Sequence, residues 1–131
     1  MLTKTSKQVI NALVKLAKLE EGEWLGVGAI AQQIKVPQNY LGKMLQSFVV
    51  AGLVVSQKGL GGGFRLAKDP KEISLFDVVE PIENVDVWSG CALGLKKCSD
   101  KNPCAVHFKW KTVKEQYLSF LKNTTIASLD K

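Results

Sequence analysis

Residues 27–67 read VGAIAQQIKVPQNYLGKMLQSFVVAGLVVSQKGLGGGFRLA. Three patterns follow one another in this stretch. Val27 to Ile34 places Ile30, Ala31 and Ile34 on one helical face. Val36-Pro37 breaks the pattern, because the residue before a proline is steered away from the helical region while proline suits a helix start. Gln38 to Ala51 resumes it with Leu41, Met44, Leu45 and Phe48 in register, and Gly52 stops it. Two helices across a short break, the second with polar and basic flanks, form the helix-turn-helix pattern. Leu53–Ser56 and Phe64–Ala67 then read as strands. Between them, four of residues 59–63 are glycine, which permits left-handed backbone and close approach to another surface. A hairpin directly after a helix-turn-helix is a wing. The competing reading is a flexible turn with no contact role. A nucleotide-binding loop does not fit, since no G-x-x-x-x-G-K-[ST] is present and a strand follows.

Upstream, Thr5 to Leu19 is amphipathic through Val9, Ile10, Leu13, Leu16 and Ala17, with Gly22 as its expected left-handed stop. Trp24 and Leu25 suggest a stub of strand. Downstream, Ser74 to Glu80 reads as a short helix with a capping-box variant at Ser74 and Asp77, ended by Pro81. Residues 84–104 lack periodicity and contain every cysteine. Ala105 to Lys122 is a long helix whose Val106, Trp110, Val113, Tyr117 and Phe120 make a heptad-like stripe flanked by Phe108 and Leu121. Packing within one chain is the plain reading. A small winged domain leaves little core to cover such a stripe, so a dimer interface is preferred. The expected fold class is mainly α with a small β-hairpin wing. The expected division is a winged helix-turn-helix DNA-binding domain over 1–80, a cysteine-bearing loop over 81–104, and a dimerisation helix with C-terminal tail over 105–131.

The chain has 131 residues, 46% hydrophobic and 23% charged, ordinary values for a globular protein. They exclude a disordered tail, a collagen-like repeat and a disulfide-dense toxin. No apolar run approaches the roughly 20 residues of a membrane span. The basic N-terminus has spaced rather than continuous apolar residues, so no signal peptide is expected, and the location is expected to be cytoplasmic. The formal net charge is +6, from 18 Lys and Arg against 12 Asp and Glu. Residues 1–68 carry nine basic and three acidic side chains, hence the whole surplus; residues 69–131 carry nine of each. A basic half beside a neutral one points to a polyanion, with double-stranded DNA first. Gln38 and Asn39 are the candidates for base edges, Tyr40 and Lys43 for phosphates. Lys58 and Arg65, with Gly59 and Gly61, would serve the wing.

Cys91, Cys98 and Cys104 are followed by His107 in a C-x6-C-x5-C-x2-H arrangement. Three cysteines cannot all pair within one chain, and a reducing cytosol disfavours disulfides. Their neighbours, among them Gly90, Gly94, Lys96, Lys97 and Lys101, make a polar segment whose lysines would lower thiol pKa values. Such cysteines are ligands or redox groups. Tight C-x2–4-C zinc pairs are absent, and looser spacing suits an iron–sulfur cluster with a fourth ligand from His107 or from outside the loop. A Cys3His zinc site and a metal-free thiol switch remain the alternatives. An enzyme using Cys104 and His107 lacks an orienting third residue, so no catalytic role is expected.

Taken together, Tyr40-Leu41, Ala51-Gly52-Leu53-Val54, Lys58-Gly59-Leu60-Gly61-Gly62-Gly63-Phe64, and the cysteine–histidine set with Trp110 resemble the Rrf-type family of bacterial transcription regulators. The resemblance covers nearly the whole chain and is nearest to the IscR- and NsrR-like, cluster-bearing branch. It implies a homodimeric winged helix-turn-helix repressor or activator crossed by a long dimerisation helix. It implies a cluster on Cys91, Cys98 and Cys104 with His107 as fourth ligand, 2Fe–2S in preference to 4Fe–4S, sensing iron–sulfur status, nitric oxide or redox. A CymR-like alternative would answer to a partner protein or small molecule, its cysteines thiol-reactive or zinc-binding. Some positions depart from the family pattern. The first inter-cysteine spacing is six rather than five. Lys7-Gln8-Val9 offers no acid where other members supply a ligand. Lys58 replaces a frequent wing arginine, and Gly42 takes the place of a recognition side chain.

Overall fold

A computed structural model describes residues 2–83 and 107–129. Its elements are α1 (Lys4–Ala17), α2 (Val27–Ile34), α3 (Gln38–Val50), β1 (Val54–Gln57), β2 (Gly63–Leu66), α4 (Leu75–Glu83) and α5 (His107–Asn123), with short 3-10 turns at Pro70–Glu72 and Ala127–Leu129. This is the expected mainly helical architecture with one hairpin.

The apolar faces explain the packing. α1 buries Val9, Ile10, Leu13 and Leu16; α3 buries Leu41, Leu45 and Phe48; α4 buries Leu75, Val78 and Val79. All belong to one cluster that also takes in Phe64 of the hairpin and Tyr117, Leu121 and Ile126 from the C-terminal region. α1 therefore runs through the middle of the molecule, touching α2, α3, α4 and β2. Removing Phe48, buried to 1% exposure, would leave the largest void.

Between α2 and α3, Lys35 takes a left-handed conformation (φ 59°), Val36 is buried, and Pro37 precedes the first turn of α3. The hairpin pairs Val54 with Leu66 and Gln57 with Gly63 in antiparallel register. Trp24-Leu25 does supply a stub of strand: Leu25 and Phe64 exchange backbone hydrogen bonds of 3.0 and 2.8 Å. Two of the loop glycines are required sterically. A Cβ on Gly62 would stand 2.2 Å from the Gln57 carbonyl oxygen, and one on Gly63 would stand 2.4 Å from that of Leu25. Gly59 and Gly61 instead hold positive φ angles in open space.

Three local expectations need correction. α1 ends at Ala17, before Gly22, which sits at φ +83° in a tight turn closed by Glu23 N–H donating to the Glu20 carbonyl. Pro81 lies inside α4, which runs on to Glu83. The helical hydrogen bond lost at Pro81 is offset by the bonds Glu83, reached only by continuing the helix, makes to Ser6 and Thr3. The stripe on α5 is divided: Tyr117 is buried at 8% exposure, while Val113 and Phe120 stand about half exposed. The capping box holds as expected. Ser74 N–H donates to Asp77 Oδ2 at 3.0 Å, and Asp77 N–H donates to Ser74 Oγ at 3.1 Å.

The chain beyond α5 returns to the core. Leu75 N–H donates to the Thr124 carbonyl at 2.8 Å and Ile126 N–H to that of Ile73 at 2.9 Å, with Ile126 fully buried. Lys122 Nζ lies 5.0 Å from the centroid of the Phe76 ring, a further tie between α5 and α4.

Candidate nucleic-acid interface

With Leu41, Leu45 and Phe48 turned to the core, α3 presents Gln38, Asn39, Gly42, Lys43 and Gln46 along its outer face. Those five residues, with Val27 of α2 and Phe64 of β2, line a shallow groove of about 660 Å³. Gly28 of α2 faces the Gln38 side chain: a Cβ there would lie 3.3 Å from Gln38 Oε1, close enough to make that amide shift slightly. At its start α3 has neither a side-chain cap nor an acidic residue in the first turn. Its positive end is therefore uncompensated from within the helix, a setting that favours an anion.

Gln38, Asn39 and Lys43 are thus brought together. Tyr40 is exposed on α3 but turns its hydroxyl to Thr5 Oγ1, 2.7 Å away in the first turn of α1. Lys58, Gly59 and Gly61 sit on the exposed hairpin loop, together with a fully exposed Leu60. Arg65 is placed apart from the groove. Its guanidinium lies 4.4 Å from the centroid of Trp24, and it lines a separate cavity with Glu20, Glu21 and Glu23, the three acids of the basic half. The acids therefore collect at the root of the hairpin and leave the α3 groove lined by uncharged residues and Lys43.

Cys91, Cys98 and Cys104 lie outside the described residues, as does the side chain of His107; the His107 backbone begins α5. Among the described residues no group of three His, Cys, Asp or Glu is placed to hold a metal. No helix among them is long and apolar enough to cross a membrane.

Spacing alone missed one contact set. Ser6, buried to 0% exposure, donates from Oγ to Glu83 Oε2 at 2.5 Å, and Thr3 N–H donates to the same oxygen at 3.4 Å. Nothing local marks residues 77 positions apart as partners; the one signal available was the absence of any acid in the first turn of α1.

Comparison with known proteins agrees with this geometry. The family model Rrf2, described as an iron-dependent transcriptional regulator, matches residues 2–131. An HTH-type transcriptional regulator of Aquifex aeolicus is 38% identical over 127 residues, covering 95% of this chain and 88% of its own. The HTH-type transcriptional regulator IscR of Yersinia pseudotuberculosis is 30% identical over 129 residues, covering 98% and 77%. Among solved structures, CymR, the global cysteine regulator of B. subtilis, superposes with a TM-score of 0.81 at 21% identity, covering 98% and 95%. Sequence match, helix-turn-helix and wing agree: the chain belongs to the Rrf2 family of transcriptional regulators.

Proposed function

We propose that the chain is a cytoplasmic, homodimeric DNA-binding regulator whose grip on its operator is set by an iron–sulfur cluster on Cys91, Cys98, Cys104 and His107. The observation that carries the DNA reading is the α3 groove, where Asn39, Lys43 and Gln46 face outward beside a glycine hairpin. Gln38 and Asn39 reach base edges in the major groove, and Lys43 and Tyr40 take phosphates. Lys58, carried by Gly59 and Gly61, meets the backbone or minor groove. Arg65 serves the wing from its root, where Trp24 holds it. Residues 1–80 read DNA, 81–104 sense, and 105–131 dimerise. Exposed Val113 and Phe120, on one face of α5, supply an apolar surface for a second copy, as a two-fold operator requires.

The donor set fits a cluster chemically. Three thiols and an imidazole fall within residues 91–107, with Lys96, Lys97 and Lys101 to offset thiolate charge. Such a centre, 2Fe–2S in preference to 4Fe–4S, would supply chemistry sensitive to oxidation and nitric oxide. A change there shifts the dimer between conformers of different DNA affinity. In sequence the cysteines lie between α4 and α5, both of which pack on the same core as α1. Likeness to the CymR fold supports a second reading, control by a partner protein or small molecule with the cysteines thiol-reactive or zinc-bound. Anaerobic purification separates the two. The cluster reading expects a brown protein with visible absorption and an EPR signal on reduction; a colourless protein with one zinc per chain overturns it.

A further inference from the structure

The first turn of α1 is held from two sides. From α4, the Glu83 carboxylate accepts from Ser6 Oγ and from Thr3 N–H. It thereby brings a negative charge to a helix start that has no acid of its own. The Ser6 hydroxyl donates its single proton to Glu83 and accepts from Thr3 Oγ1 at 3.2 Å, which fixes the direction of its O–H. Thr3 Oγ1 in turn caps α1 by accepting from Ser6 N–H at 3.1 Å. From the other side, Thr5, between those two residues, bonds to Tyr40 on the first turn of α3. Glu83 is also close enough to Tyr117 of α5 for its charge to act on that phenol. It stands at the end of α4, eight residues before Cys91.

We propose that the Thr3–Ser6 turn is a strut between Glu83 and Tyr40, making Glu83 and Thr5 positioning residues for the recognition helix. Movement at the end of α4, where the cysteine-bearing segment begins, is then delivered to Tyr40 through a rigid hydrogen-bonded turn. The one proton of the buried Ser6 hydroxyl is committed to Glu83: while Glu83 stays the turn keeps its place, and if Glu83 leaves, a buried donor is left unsatisfied and the turn must shift to satisfy it. The inference rests on the reading of the cysteine segment as a sensor for its physiological meaning, but the strut itself does not.

A double-mutant cycle on DNA affinity tests it, using a duplex selected from a random pool by the wild-type protein. Glu83→Gln keeps an acceptor and removes the charge, while Tyr40→Phe removes the hydroxyl at the far end of the strut. Glu83→Gln is expected to weaken DNA binding about fivefold in the wild-type background and less than twofold in the Tyr40→Phe background. Thr5→Val, which breaks the strut but leaves the Tyr40 hydroxyl free to meet a phosphate, should likewise reduce the Glu83→Gln loss to less than twofold. An equal loss in both backgrounds, or a fall in melting temperature with unchanged affinity, overturns the strut and leaves Glu83 a purely stabilising residue. Cys98→Ala in the same assay keeps the two ideas apart. If it leaves affinity unchanged while the cycle still shows coupling, the sensor reading fails and the strut stands.

Discussion

Substituting alanine along the hairpin loop separates two roles for glycine. At Gly63 the new methyl would stand 2.4 Å from the Leu25 carbonyl oxygen and 2.7 Å from Gly26 N, so β2 must retreat by about 1 Å to restore ordinary contact. That retreat breaks both backbone bonds between Leu25 and Phe64, about 1 kcal/mol each. The positive φ of Gly63 adds roughly 1 kcal/mol for any side chain. The expected loss is therefore about 3 kcal/mol, before any loosening of buried Phe64. Gly61→Ala meets nothing within 4 Å and carries only the left-handed cost, about 1 kcal/mol. Urea unfolding followed by tryptophan fluorescence reads the difference directly. With a slope of about 1.5 kcal/mol per molar, Gly63→Ala should lower the midpoint by about 2 M and Gly61→Ala by well under 1 M. Equal midpoints for the two variants would refute the steric argument and with it the close docking of the wing on the Trp24–Leu25 segment.

Two further outcomes follow from the same contacts. Burial first, and the Glu83 carboxylate second, push the Tyr117 phenol above its ordinary value. Its contribution to stability is full below the unfolded value of about 10 and is lost as pH rises through the folded one, because the unfolded chain gives up its proton first. Tyr117→Phe should flatten the alkaline limb of the stability curve relative to wild type, and parallel curves would contradict this. DNA affinity should fall steeply with salt, and Lys43→Ala should lower the log–log slope by about 0.9; an unchanged slope removes Lys43 from the phosphate contacts.

Much of this fold was legible in residues 27–67. The 3.6-residue spacing on either side of Val36-Pro37 marks α2 and α3 to within a residue at each end, and the glycine run marks the hairpin. These signals are local, so they survive in a single chain. Features set by distant contacts were not legible. Pro81 reads as a stop, yet α4 continues to Glu83, whose carboxylate bonds to Ser6, 77 residues away in the chain. Thr124-Thr125-Ile126 is too short to announce a strand, though it pairs with Ile73–Leu75 and buries Ile126. The α5 stripe is apolar along its whole length, and periodicity cannot say that Tyr117 goes to the chain's own core while Val113 and Phe120 stay outside. At the interface, spacing identified the outward α3 residues but not the stacking of Arg65 on Trp24 at the hairpin root.

The account turns on whether the cysteine segment governs the α3 groove. The most direct measurement compares DNA affinity of anaerobically isolated protein before and after iron is removed by a chelator, on the duplex chosen by the wild-type chain. A change of about tenfold in either direction, absent in Cys98→Ala, is the predicted result. Equal affinities with and without iron would contradict cluster control and leave a regulator governed by a partner or a small molecule.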